Sequence, residues 1–181
     1  MATYDPHLLD ALEASSVESV HGVVWRQVLE PTSVLRPNQR GARWNSPGVE
    51  ALYCSLNPAT AAAEIDHLIS VQPVQVARQR LTYSLKVTIS RVVDLRPTPW
   101  GAEFSYVYDA TDVEECQTIG AASSWLGSGG LLVPSQRADG GNLVIFVANL
   151  DIDDSVEVGS DTYEYPPGPP DGDWPPLAQV G

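Results

Sequence analysis

Positive charge is scarce in this chain: ten lysines and arginines stand against twenty-three aspartates and glutamates in 181 residues, a formal charge of −13. Affinity for a phosphate backbone comes largely from clustered Lys and Arg, so direct nucleic-acid binding is disfavoured. The imbalance is uneven. Residues 151–181 hold eight acidic residues and no basic one, which leaves −5 over residues 1–150 and makes a basic partner the easier one to accommodate. Cysteine is nearly absent. Cys54 and Cys116 form no Cys-x-x-Cys or Cys/His cluster, and His7, His21 and His67 have no ligand spacing, so neither a disulfide framework nor a metal site is expected. No apolar run approaches the roughly 18 residues needed to span a bilayer, so no membrane segment is expected. Met1–Asp5 has neither the basic nor the apolar stretch of a secretory signal, which predicts a cytoplasmic protein.

Apolar residues make up 43% of the sequence, enough for one globular domain with a real core. Asp5-Pro6 before Leu8, Leu9 and Leu12 predicts a short capped helix to Ala14. Val20–Leu29 reads as a strand, and Pro31, Pro37 and Gly41 then impose a long loop. Ala51–Ser55 reads as a second strand, and Asn57-Pro58 as cap and first turn of a helix to about Ile69. Tyr83, Leu85, Val87 and Ile89 alternate with polar residues, predicting a half-buried strand through Val93. Thr111-Asp112-Val113-Glu114 resembles a capping box opening a helix to Trp125. Leu131–Val133 and the continuous apolar run Leu143–Leu150 complete the strands. Mixed strands and helices in this order predict an α+β domain over residues 1–150, a mixed sheet flanked by helices. Residues 151–181, acidic and rich in proline, read as a largely extended tail with Trp174 as an anchor point, either solvated or laid across a surface or partner.

Three places carry side chains that packing does not require. In Gly41-Ala42-Arg43-Trp44-Asn45, a planar guanidinium follows a turn: Arg43 either grips paired phosphate oxygens or pairs with a carboxylate and stacks on Trp44. Glu64 sits among Ala61, Ala62, Ala63 and Ile65, and either faces solvent or points into a pocket. Tyr53, at the end of a strand, is read either as core with a bonded hydroxyl or as part of that pocket. Ser135 follows Pro134 at a strand end, ahead of Gly140-Gly141-Asn142. No Gly-x-Ser-x-Gly is present, which leaves a serine-hydrolase reading weak.

Taken together and in order, Trp25-Arg26, Gly41–Gly48, Leu52-Tyr53, Ala61–Glu64, Leu132–Ser135 and Asn142–Val144 resemble the RES domain, the toxin half of bacterial RES-Xre toxin-antitoxin pairs, from about Val23 to Val147. The arginine, glutamate and serine of the family fall on Arg43, Glu64 and Ser135, with Arg26 a competitor for the first, and Tyr53 matches the tyrosine between them. Position 42 is alanine where the family often has a second glycine, which fits a backbone without positive φ there. The resemblance implies an ADP-ribosyltransferase-like fold that takes NAD as substrate, with no separate cofactor, and cleaves its nicotinamide-ribose bond. The acceptor is water, phosphate or a protein, and a catalytically silent binding domain is the contrasting reading. The roles it implies are Glu64 stabilising positive charge on the ribose, Tyr53 against the nicotinamide, Arg43 on the diphosphate and Ser135 on ribose or phosphate. Arg26, Trp44, Asn45 and Asn142 follow as substrate-binding candidates. An Xre-like antitoxin is the implied partner, and larger assemblies, homo-oligomers among them, are implied as well.

Overall fold

The computed structural model describes residues 4–15, 17–71, 80–96 and 108–165, the last three by backbone alone. Helix α1 (Pro6–Ala14) starts where the sequence places it: Asp5 accepts a hydrogen bond from the His7 amide and Pro6 occupies the first turn. Strand β1 (Val17–Leu29) is followed by the long loop and then β2 (Ala51–Ser55). In α2 (Pro58–Ser70), Asn57 accepts from the Thr60 amide at 2.8 Å. Strand β3 (Arg80–Asp94), helix α3 (Val113–Trp125), β4 (Gly130–Pro134), β5 (Gly141–Phe146) and β6 (Ser155–Tyr165) complete the order. The fold is α+β, as expected, with a mixed six-stranded sheet and three helices among the described residues.

The strands run β1-β2-β5-β4-β3-β6, and β1 also pairs with β3 along nearly its whole length, which curls the sheet back on itself. Among the described strands β3 and β4 run parallel and the remaining pairs are antiparallel. The weak seam lies between β1 and β2, which share the single pair Trp25 and Ser55 before diverging. Apolar residues fill both faces. Along β5, Leu143 and Ile145 enter one core with Val24, Leu52, Leu85 and Ile89, while Val144 and Phe146 enter the other with Leu8, Leu12 and Ile119 of α1 and α3. This two-sided burial is why β5 reads as an uninterrupted apolar run.

Three expectations are corrected. The strand expected to reach Leu150 ends at Phe146 and continues as a 3-10 turn over Val147–Asn149. There Val147 N–H bonds Glu50 O, and the Asn149 amide donates to Ser124 O and Ser128 O, drawing the chain off the ladder toward α3. The cap of α3 is Asp112, which accepts from the Glu114 and Glu115 amides, while Thr111 donates its hydroxyl to Asp109 Oδ1. The boundary at residue 150 also moves. Strand β6 adds to β3 from Ser155↔Thr88 to Tyr165↔Arg80, so much of the acidic segment belongs to the sheet. Gly159 explains part of this fit, since a Cβ there would overlap the Ser84 hydroxyl of the neighbouring strand. Trp174 and the proline-rich residues 166–181 lie outside the described residues.

Both cysteines are free and buried. Burial pushes the Cys54 thiol up to about 12 against the pull of Arg26, and the Cys116 thiol up to about 11, so both stay protonated and inert near neutrality. No helix among the described residues is long and apolar enough to cross a membrane.

Candidate active site

Where β1 and β2 diverge, a cavity of about 470 Å³ opens beneath α2. Its lining includes Arg26, Arg43, Trp44, Tyr53, Glu64 and Asn142 from the expected set, joined by Ser55, Gln27, His67 and Arg137. Residues up to 117 positions apart in sequence, Trp25 and Asn142, thus meet in one place, positioned by β1, β2, β5, α2 and the loop after β1.

Glu64 is the centre of a directed hydrogen-bond cluster. Ser135 Oγ donates to Glu64 Oε1 at 2.7 Å and Asn142 Nδ2 donates to the same oxygen at 2.8 Å. Ser135 has no freedom in this. A hydroxyl has one proton and two acceptor positions, and Ser135 Oγ already accepts from the Arg137 amide at 3.1 Å and the Ala138 amide at 3.3 Å. Its proton is therefore committed to Glu64. No hydrogen bond among the described residues falls on Glu64 Oε2. The turn that places Ser135 is held by its own amide on Gly140 O, and a Cβ at Gly140 would overlap Thr60 Oγ1 at the start of α2, so only glycine lets the turn approach that helix so closely.

The two arginines, indistinguishable by sequence, have different work. Arg26 spends Nη1 on Tyr53 O at 2.6 Å and Nη2 on Arg36 O at 3.1 Å, tying β1 to β2 and to the loop, while its buried Nε has no partner among the described residues. Burial lowers its pKa. Arg43 uses Nη1 on Ala110 O at 2.7 Å and, weakly, on Thr111 O at 3.5 Å, and its guanidinium also interacts with the Cys116 thiol. None of the ion pairs among those residues, Arg80 with Asp66, Arg91 with Asp151 and Arg96 with Asp94, engages a cavity arginine. In a chain with so large an excess of carboxylates, three cavity guanidiniums, Arg26, Arg43 and Arg137, without an ion pair among the described residues suit an anionic ligand.

Tyr53 lines the cavity and also packs against the core around Trp44. The hydroxyl accepts from the Trp44 amide at 2.9 Å and donates to Asn45 Oδ1 at 2.8 Å, and burial raises its pKa well above the ordinary phenol value, so it remains a donor. Asn45 does not reach the cavity. It is fully buried, and its Nδ2 donates to Asn38 O and Val49 O, so the expected substrate contact is replaced by a brace for the loop. Trp44 is 3% exposed, with its ring edge-on to Tyr108 in the core, and contributes wall rather than a free face. Gly41 takes φ 96° at the turn while Ala42 needs no positive φ, in line with the tolerance expected for alanine there. Behind this loop, a Cβ at Gly120 of α3 would overlap the Trp44 carbonyl, so helix and loop touch backbone to backbone.

Ser135 stands behind Glu64 rather than among the lining residues. Sequence reading missed Ser55 and Gln27. Ser55 donates to Asn142 Oδ1 at 2.7 Å, and Gln27, 8% exposed, donates Nε2 to Thr82 Oγ1 at 2.6 Å and leaves Oε1 without a bond among the described residues. Polar residues at buried strand positions, Ser55 and Gln27 together with Thr82, Arg80 and Ser84 of β3, were the available signal.

The RES domain family model matches residues 17–167, past residue 150 and through β6. Among solved structures, the chain is similar to one titled as the MbcT-MbcA toxin-antitoxin complex of M. tuberculosis, with a TM-score of 0.77 and 19% identity over 90% of this chain and 94% of that one. At that identity the likeness is one of fold. No curated protein matches the sequence.

Proposed function

The chain belongs to the RES domain family, and from that premise we propose that it is the toxin of a toxin-antitoxin pair which binds NAD in the β1/β2 cavity and cleaves the nicotinamide-ribose bond. The observation that carries this reading is the arrangement of Glu64, one carboxylate oxygen gripped by Ser135 and Asn142 and the other without a bond among the described residues, in a cavity whose arginines form no ion pair among those residues. The relative with a toxin-antitoxin title supports the cognate partner.

In this reading Arg43, which lines the cavity and is anchored through Nη1 on Ala110 O, takes the diphosphate. The Tyr53 ring lies against the nicotinamide, and the hydroxyl behind it keeps the ring from rotating. As the C–N bond breaks, its electron pair passes to the pyridinium, which leaves as neutral nicotinamide, so no general acid is required. The ribose acquires oxocarbenium character, and Glu64 Oε2 supplies fixed negative charge beside it. Ser135 and Asn142 act through Glu64, holding its carboxylate in one orientation before substrate arrives. An acceptor oxygen then bonds to the ribose carbon and loses its proton.

Incubation with NAD labelled in the adenylate half, with and without phosphate and in a lysate, tests this directly. Free ADP-ribose names water as acceptor, a phosphorylated ADP-ribose names phosphate, and label on a polypeptide names protein transfer. NAD left intact under all three conditions by folded protein would refute the reading.

A further inference from the structure

We infer that Ser55, through Asn142, is a positioning residue that sets the orientation of the Glu64 carboxylate; the inference rests on the proposed chemistry for its kinetic consequence but not for its geometry. Ser55 is the point where three strands meet. It is the one residue of β2 paired with β1, opposite Trp25, and on its other side it faces Asn142 of β5. Asn142 in turn pairs with Val133 of β4, two residues before Ser135. The chain Ser55 Oγ to Asn142 Oδ1 at 2.7 Å, then Asn142 Nδ2 to Glu64 Oε1 at 2.8 Å, therefore follows from register and not from a mobile surface contact.

Direction matters in this chain. A carboxylate oxygen accepts only, so Asn142 must present its NH2 to Glu64, which turns its carbonyl oxygen to Ser55. Ser55 is 4% exposed and supplies the one donor that oxygen receives among the described residues. With that donor in place the amide is held at both ends. Without it, Oδ1 is a shielded acceptor with no partner, and the amide is free to tilt toward solvent in the cavity. Glu64 would then keep Ser135 as its remaining fixed donor, and Oε1 would no longer be anchored from two sides. The cost should fall on the transition state, where the position of Oε2 counts, rather than on ground-state affinity set by the arginines.

The test compares wild type, Ser55→Ala and Ser55→Thr. With NAD as substrate, the alanine variant is expected to lose about tenfold in kcat with KM within about twofold, the size of one hydrogen bond, and the threonine variant, which restores an Oγ donor, to recover most of it. Equal kcat in wild type and alanine variant, or a loss confined to KM, would overturn the inference. A second readout is independent of any activity. The Asn142 side-chain NH2 protons, followed by NMR, should exchange with solvent faster in Ser55→Ala than in wild type and return toward wild type in Ser55→Thr. Unchanged exchange would refute the positioning role, whereas faster exchange in Ser55→Ala, alongside a wild-type protein that leaves NAD intact, would preserve the geometry and remove the proposed function.

Discussion

Replacing Tyr53 by phenylalanine should damage stability more than its single lost oxygen suggests. The hydroxyl accepts the Trp44 amide at 2.9 Å and donates to Asn45 Oδ1 at 2.8 Å, and both partners are buried, Asn45 completely. Phenylalanine leaves a backbone donor and a side-chain acceptor without partners in a region water does not reach. Each such group costs about 1–3 kcal/mol, and with partial relaxation of the loop the sum is roughly 2–4 kcal/mol. For a chain of this size about 1 kcal/mol lowers the midpoint by roughly 2–4 °C, so thermal unfolding should shift down by about 5–15 °C. The ring survives, so chemistry at the glycosidic bond should persist at low temperature, with KM raised because the loosened segment carries Arg43 next to Trp44. Calorimetry and initial-rate measurements at 15 °C separate the two effects. A variant with the wild-type midpoint would refute the structural role of the hydroxyl, and a stable variant without turnover would make that hydroxyl a participant in the chemistry.

The two arginines should part company on substitution. Arg43→Ala is expected to raise the KM for NAD about ten- to hundredfold, or ~1.4–2.7 kcal/mol, with a midpoint near that of wild type, while Arg26→Ala, which breaks two anchors between β1, β2 and the loop, should lower the midpoint clearly. Gly120→Ala forces a methyl group against the Trp44 carbonyl and should cost about 1–3 kcal/mol while raising KM, because the loop must retreat from α3; unfolding curves that match wild type would contradict that contact. In acid, Asp154 and Asp94 set a sign. Burial alone would raise Asp154, but hydrogen bonds from the Asp151 amide and from Ser90, with the charge of Arg91, hold it below the usual carboxylate range; Asp94 is likewise held down by Arg96 against burial. Groups depressed on folding stabilise fully above their unfolded value, about 3.9, and lose that contribution as pH falls through the folded value. The midpoint should therefore be flat above about pH 5 and fall below about pH 4, less steeply in Asp154→Asn, and parallel acid limbs would refute the assignment.

What was legible in the sequence follows from how local the signal is. Asp5-Pro6 and Asn57-Pro58 mark helix starts because cap and proline act within one turn, and both are found there. At α3 two candidate caps, Thr111 and Asp112, compete within one residue, and the tertiary position of Asp109 decides between them by taking the Thr111 hydroxyl. Strand β6 was hidden because its partner, β3, begins 75 residues earlier, and its acidic, half-exposed pattern is that of an edge strand that also passes for a tail. Arg43, Tyr53, Glu64 and Asn142 do line one cavity, yet sequence could not tell which groups face it and which brace it. Asn45 and Ser135 were read as substrate contacts, and the first is a loop brace while the second holds Glu64. Ser55 was missed because its role depends on facing Trp25 and Asn142 at once, a fact of register.

Release of nicotinamide from NAD by the purified protein, measured beside Glu64→Gln, tests the central claim most directly. The glutamine variant retains an oxygen to accept from Ser135 and Asn142 but carries no charge for the developing oxocarbenium ion. The account predicts nicotinamide release by wild type, a loss of at least about a hundredfold in kcat in the variant, and an unchanged fold by circular dichroism. Equal release by the two proteins would contradict it.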